Sequence, residues 1–248
     1  MTLAKYKLSD HLFELKYRLK IVAAFFTISF LASYYYSQDI FLFLLDPLLH
    51  TANTGGRKII YTGLAEAFFT YMTLSAFFAF VISLPIIALE VYLFIRPGLY
   101  KKERKIAASM LAFSPILFIT GTLFVFYFVI PKAWEFFVSF ESRDNTIPIL
   151  LEAKISEYLS LVIKLIMAFG IAFQMPIILV LLSLLGFISP CYLRSKRRIS
   201  IVVNFIIAGI ITPPDIISQI SLAIPMLLLY ELSIIACSYT SNKGKENA

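Results

Sequence analysis

The sequence predicts an all-α membrane protein with six transmembrane helices, both termini on the inner side, and short fifth and sixth spans. Three observations carry that prediction. Of 248 residues, 60% are hydrophobic and 15% charged, where soluble domains run at about 45–50% apolar and about 25% charged. Apolar runs of the roughly 20 residues needed to cross hydrocarbon recur between polar loops. Lys and Arg gather in alternate loops, the pattern that fixes orientation in a membrane. The chain is expected to form one membrane domain over 1–248, ending in a polar, disordered tail at 240–248.

Taken in order, residues 9–20 (SDHLFELKYRLK) read as an amphipathic helix start lying along the membrane surface, with Ser9 or Asp10 as cap. Leu12, Leu15 and Leu19 fall on one face, and Asp10, Glu14 and Arg18 on another. Span 1 covers about 17–37. Lys5 and Lys7 precede it as in a signal peptide, but Ile21–Tyr36 closes on three tyrosines instead of a small-residue cleavage site, so the span is retained. Gln38–Ala67 is a structured loop. Its run Ile40–Leu45 is too short to span and is ended by Asp46-Pro47, Gly55-Gly56 turns the chain, and Lys58–Thr62 is extended. Span 2, about 66–92, contains Pro85 and Glu90; span 3, about 106–130, stops at Pro131. A second large loop covers Lys132–Glu157. Span 4, about 158–187, should kink at Pro176. After the basic loop Ser189–Arg198, span 5 (about 199–211) is short for a crossing, Thr212-Pro213-Pro214-Asp215 turns the chain, and span 6 covers about 216–238.

The N-terminal segment and the loops after spans 2 and 4 are basic, and the tail adds Lys243 and Lys245. The longer loops after spans 1, 3 and 5 hold only Arg57, Lys58, Lys132, Arg143 and Lys154, which places both termini inside. The net charge of +7 therefore reflects membrane orientation and not nucleic-acid binding. An enzyme is disfavoured. His11 and His50 fall on opposite sides, no zincin, nucleophile-elbow or phosphate-loop motif occurs, and no Asp pair lies within the spans. Cys191 and Cys237 have no metal or redox spacing.

Within the spans the polar residues are Glu90, Lys164, Gln174 and Glu231. Glu90 and Glu231 read as carboxylates kept wet near the inner interface, and Lys164 as a residue that snorkels outward. Gln174 lies too deep for either interface and must bond another helix or face a watery cavity. The stretch Phe94–Lys105 (FIRPGLYKKERK) crowds five basic residues around Glu103 beside Phe94, Pro97, Leu99 and Tyr100. One reading is an orientation loop with an incidental acid. The other pairs Glu103 with Glu14 on the same face as two carboxylates suited to two adjacent guanidinium groups.

Four segments, His11–Leu19, Phe94–Arg104, Phe169–Pro176 and Thr212–Gln219, together resemble the TatC family, the multi-span receptor subunit of the twin-arginine translocase. The resemblance covers nearly the whole chain. It implies binding of twin-arginine signal peptides at the inner face by Glu14, Lys16, Arg18, Phe94, Pro97, Leu99, Tyr100, Glu103 and Arg104. Pro47 matches the family's proline in the first outer loop. Asp215 matches its outer turn, and Gln219 the span-6 position associated with single-span partners. TatA- and TatB-type subunits and further copies of the chain are the implied partners in the bilayer. The family works without a cofactor and is driven by the proton-motive force. Lys16 stands where many members have Arg, and Gln174 where many have Glu, which removes a titratable group. The short tail and the Phe- and Tyr-rich spans resemble mitochondrially encoded members, so a mitochondrial or a bacterial inner membrane is expected. Two other readings remain. An ion-coupled solute transporter should show paired ionisable groups at mid-membrane and paired repeats. A structural assembly scaffold should not bind twin-arginine peptides.

Overall fold

The computed structural model describes residues 8–51, 60–141, 152, 154–211 and 216–245, and these are helical apart from short connections. No glycine or proline interrupts residues 8–35, and the chain there forms one helix, α1 (Leu8–Tyr35). The expected surface segment and first span are thus a single rod. After a bend of 71° the chain continues as α2 (Ser37–Thr51). Pro47 does not end that helix as expected. It costs one backbone bond near the last turn, which α2 tolerates.

An isolated parallel bridge joins Ile60 to Lys154, so the extended piece before span 2 is present at Ile60. Then come α3 (Glu66–Ile95), a single 3₁₀ turn (Arg96–Gly98) and α4 (Lys101–Phe124). Pro131 fails to stop the third span. A wide π turn at Val125–Val129 lies immediately before it, with the Ile130 N–H donating to the Val125 carbonyl, and α5 (Ile130–Val138) follows without a break. The second large loop is shorter than expected for that reason. Span 4 is broken at Phe173-Gln174, just ahead of Pro176, into α6 (Ile155–Ala172) and α7 (Met175–Leu184). The basic loop contains a short helix, α8 (Pro190–Ser195), capped by the Ser189 hydroxyl, which accepts from the Tyr192 N–H. The last two are α9 (Arg197–Ile211) and α10 (Ile216–Lys245). Up to Lys245 the tail is a continuation of α10 and not a disordered end, because nothing before Gly244 breaks the helix.

Among the described residues, four helical stretches are long and apolar enough to cross a membrane, and the bent pair α1–α2 makes a fifth if it counts as one span. The 15 residues of α9 reach only about 22 Å at 1.5 Å per residue, short of the roughly 30 Å hydrocarbon core. The chain is a multi-pass membrane protein.

Packing divides along the helix axes. At one end an aromatic-rich core gathers Phe41 and Leu44 of α2, Leu74 and Phe77 of α3, Trp134 of α5 and the α6 face from Tyr158 to Phe169. At the other, α7 stands between two smaller clusters. One joins Ala88, Leu99, Ala107 and Leu111 to Ile177 and Leu181; the other joins Val180 to Leu193, Tyr230, Ile234 and Cys237. Lys16, Arg18, the 94–105 segment and Arg194–Arg198 all belong to this second end, which we call the basic end. Gly170 sets the α4–α6 crossing, since a Cβ there would lie 2.3 Å from the Phe118 ring.

Candidate functional site

The basic end is assembled from three sequence segments. The first is the opening of α1. Spacing by four residues puts Glu14 one turn from Arg18, and the Arg18 Nε donates to Glu14 Oε1 at 3.1 Å while Nη2 donates to the same oxygen. Arg18 also reaches across to α3, where Nη1 donates to Oε2 of Glu90 at 2.9 Å. Glu90, expected as a wet interfacial carboxylate, is buried between α1 and α3 and paired there with Arg18. The side-chain exposures are 34% for Glu14, 18% for Arg18 and 11% for Glu90, so the cluster opens to the outside through Glu14. Lys16 is exposed beside it.

The second segment follows from the first through α3. Glu90 and Phe94 are four residues apart and share a helix face, which carries the cluster into the 94–104 turn. Pro97 sits in the 3₁₀ turn, Leu99 is buried at 4% exposure as the anchor of the inner core, and Tyr100 is 80% exposed. Glu103 is the third residue of α4, and its carboxylate accepts the backbone N–H of Tyr100 at 2.9 Å. That bond satisfies a donor that the helix start leaves open, and the carboxylate stands at the positive end of the helix dipole. Arg104 turns back, its Nε donating to the Leu99 carbonyl at 3.2 Å. Glu103 and Arg104 therefore also shape the loop that presents them.

The third segment ties α9 to α10. Arg197 Nη2 donates to Glu231 Oε2 at 2.8 Å, with both side chains about half exposed.

The deeper polar residues engage within the chain. Gln174, at the α6–α7 break, accepts from the Ser114 hydroxyl at 2.6 Å and donates to the Ser114 carbonyl at 3.0 Å. Gln219 donates to the Phe205 carbonyl at 3.1 Å, where Gly209 leaves room for its amide. Pro47 lies in α2 with its side chain outside the described residues, and Asp215 is wholly outside them. Lys164 lines an open groove of about 370 Å³ between α3 and α6, together with Glu66, Thr70, Thr73 and Ser160. Sequence reasoning missed Glu66 altogether. It accepts from the Thr62 and Gly63 N–H groups at one oxygen and from Ser156 at the other, clamping the far end. It also missed the role of Glu90, whose partner lies 72 positions away. The spacing of Glu90 from Phe94 was the available signal.

The sequence profile of the Sec-independent protein translocase protein TatC matches residues 10–225. A Rickettsia prowazekii protein of that name is 60% identical over 234 residues, covering 94% of this chain and 93% of its own length. Its counterpart in Escherichia coli K12 is 36% identical over 240 residues, covering 96% and 90%. A crystal structure of the twin arginine translocase receptor TatC superposes with a TM-score of 0.77 at 35% identity, covering 93% of this chain and 99% of that one. A second crystal structure of the receptor, in DDM, gives 0.78 at 36% identity, covering 92% and 99%.

Proposed function

Because this chain belongs to the TatC family of Sec-independent protein translocase proteins, we propose that it is the receptor that binds twin-arginine signal peptides in a translocase for folded proteins. The observation that carries the reading is the basic end. Two carboxylates, Glu14 and Glu103, stand there among exposed bases and apolar side chains, on segments joined through the Glu90–Phe94 face. A carboxylate holds a guanidinium through parallel charge-assisted bonds that an ammonium cannot reproduce. That geometry separates an arginine pair from a lysine pair. Glu14 and Glu103 supply the charge, and Leu99 and the Arg104–Leu99 bond fix the loop. Phe94, Pro97 and Tyr100 give the apolar surface for residues flanking the arginines, Arg18 orients Glu14, and Lys16 stands exposed beside it.

The basic end faces the cytoplasm or its organellar equivalent, with six spans in an inner membrane, bacterial or mitochondrial. Gln174, Gln219, Asp215 and Pro47 belong to the faces that meet TatA- and TatB-type subunits and other copies of the chain, and the proton-motive force drives transport. The work is binding and assembly, not bond-making chemistry. Site-specific cross-linking of a twin-arginine peptide tests this. Photoreactive side chains at Phe94 and Tyr100 should capture it, and one at Phe140 on the far end should not. Equal capture at all three positions would end the reading. Labels at Lys102 and Asp144 should report opposite sides of the membrane, and same-side labelling would contradict the six-span topology.

A further inference from the structure

We propose that the groove between α3 and α6 is a binding site for a phospholipid headgroup bearing a primary amine, with Lys164 and Ser160 on its phosphate and Glu66 facing its ammonium. The site lies at the far end, away from the basic end, and does not rest on the peptide-binding reading. Lys164 is exposed nine residues into α6, roughly 13 Å along the helix at 1.5 Å per residue. Among the described residues it makes neither an ion pair nor a hydrogen bond. An ammonium left alone at that depth is unfavourable, and its flexible stem carries it only part of the way to water. The groove is where it meets an anion.

The groups in the groove stand in the order a lipid needs. Ser160 is one turn from Lys164 on the same face of α6, and its hydroxyl has no partner among the described residues, so two sets of open donors lie together. Across the groove, Thr70 and Thr73 donate to the carbonyls of Glu66 and Phe69 at 2.7 and 2.9 Å. Their protons are committed, and they offer the groove only acceptor lone pairs. Glu66, at the mouth, accepts from neutral N–H and O–H groups and has no cation among its partners, so its charge is unbalanced. The groove is therefore cationic where it is deep and anionic where it is shallow. A phospholipid on that side of the bilayer holds its phosphate deep and its headgroup terminus toward water. An ethanolamine terminus matches the carboxylate; phosphoglycerol lacks the cation, and choline has no N–H to donate. A carboxylate on a neighbouring helix would satisfy Lys164 but leave Glu66 unmatched. Size points the same way. About 370 Å³ suits a small-molecule headgroup, whereas a helix about 10 Å across fills that volume in under one turn.

The experiment is native mass spectrometry of the full-length protein released from detergent micelles. It is titrated with phosphatidylethanolamine, phosphatidylglycerol and phosphatidylcholine of identical acyl chains. Wild type should hold the ethanolamine lipid roughly five-fold more tightly than either of the others. Lys164→Met should weaken that binding roughly five- to ten-fold, the loss of one charge-assisted contact. Lys164→Arg keeps the charge and should stay within about two-fold of wild type. Lys154→Met removes a far-end lysine that does not line the groove and should bind as wild type does. Lys164 is exposed, so these variants leave the packed core intact. The proposal is overturned if Lys164→Met holds the ethanolamine lipid as wild type does, or if wild type holds all three lipids equally. Should Lys164→Met keep the lipid but shed a co-purifying single-span subunit, the ammonium belongs to a partner's carboxylate, and the lipid site is equally overturned.

Discussion

Two arginines perform the same task at the basic end in different surroundings. Arg18 joins α1 to α3 between two carboxylates, and Arg197 joins α9 to α10 through one. Arg18 and Glu90 are 18% and 11% exposed, against 50% and 45% for Arg197 and Glu231. Exposed pairs contribute about 0–1 kcal/mol because water and salt screen them. A buried pair is worth little relative to a hydrophobic replacement, yet breaking it by removing one member is severe. Similar ion-pair chemistry therefore gives a dispensable strap on one side of the molecule. On the other it gives a buried charge cluster that must stay matched.

The largest effect should come from unbalancing that cluster. Arg18→Met leaves Glu14 and Glu90 without their shared cation and should lower stability by about 3 kcal/mol, the lower end for a broken buried pair, read by reversible denaturation in micelles. Equal losses for Arg18→Met and Arg197→Met would erase the distinction. An uncharged contact between helices offers the middle case. Gln174→Leu removes both bonds to Ser114 and should cost about 1–2 kcal/mol, near the upper range for polar contacts in membranes. Gln174→Glu should be nearly neutral, because a protonated carboxyl can reproduce both bonds to Ser114.

The contrast between the pairs also marks how far the sequence could be read. Helix positions were legible because apolar run lengths and the Lys/Arg asymmetry are local properties. The Glu14–Arg18 contact was legible because it obeys helical spacing. Glu90 was not, since whether a carboxylate near a span end is wet or buried depends on a helix 72 residues away. Two proline positions were misjudged in the same way. Pro47 and Pro131 were expected to end helices, but the chain absorbs one in a last turn and the other behind a π turn, while Pro176 follows a real break. A proline declares a missing N–H in sequence, and only the neighbouring backbone decides whether that ends the helix. The motif segments 11–19 and 94–104 resembled a known family because they hold much of their chemistry within a few turns. The Gln219–Phe205 bond needed the folded α9–α10 hairpin to be seen.

Smaller effects sharpen the comparison from the exposed side. Glu66 is a carboxylate matched by neutral donors in place of a cation. Glu66→Gln turns an amide N–H₂ toward some of those donors and should cost about 1–2 kcal/mol without changing peptide binding, since it lies at the far end. Arg197→Met should change stability by less than about 1 kcal/mol, and added salt should shrink even that. A loss of several kcal/mol there would show that exposure does not decide the worth of these pairs.

The central claim is that the acids of the basic end, and not its general charge, select an arginine pair. Its most direct measurement is the affinity of a twin-arginine peptide for wild type, Glu14→Gln and Glu231→Gln, with a twin-lysine peptide as control. Glu14→Gln keeps the size and one acceptor oxygen, so it removes mainly the charge-assisted part of the bond, worth about 1.5–3 kcal/mol against about 1 for a neutral one. Twin-arginine binding should fall several-fold to roughly ten-fold, twin-lysine binding should change less, and Glu231→Gln should bind both as wild type does. Indistinguishable affinities for Glu14→Gln, Glu231→Gln and wild type would contradict the account.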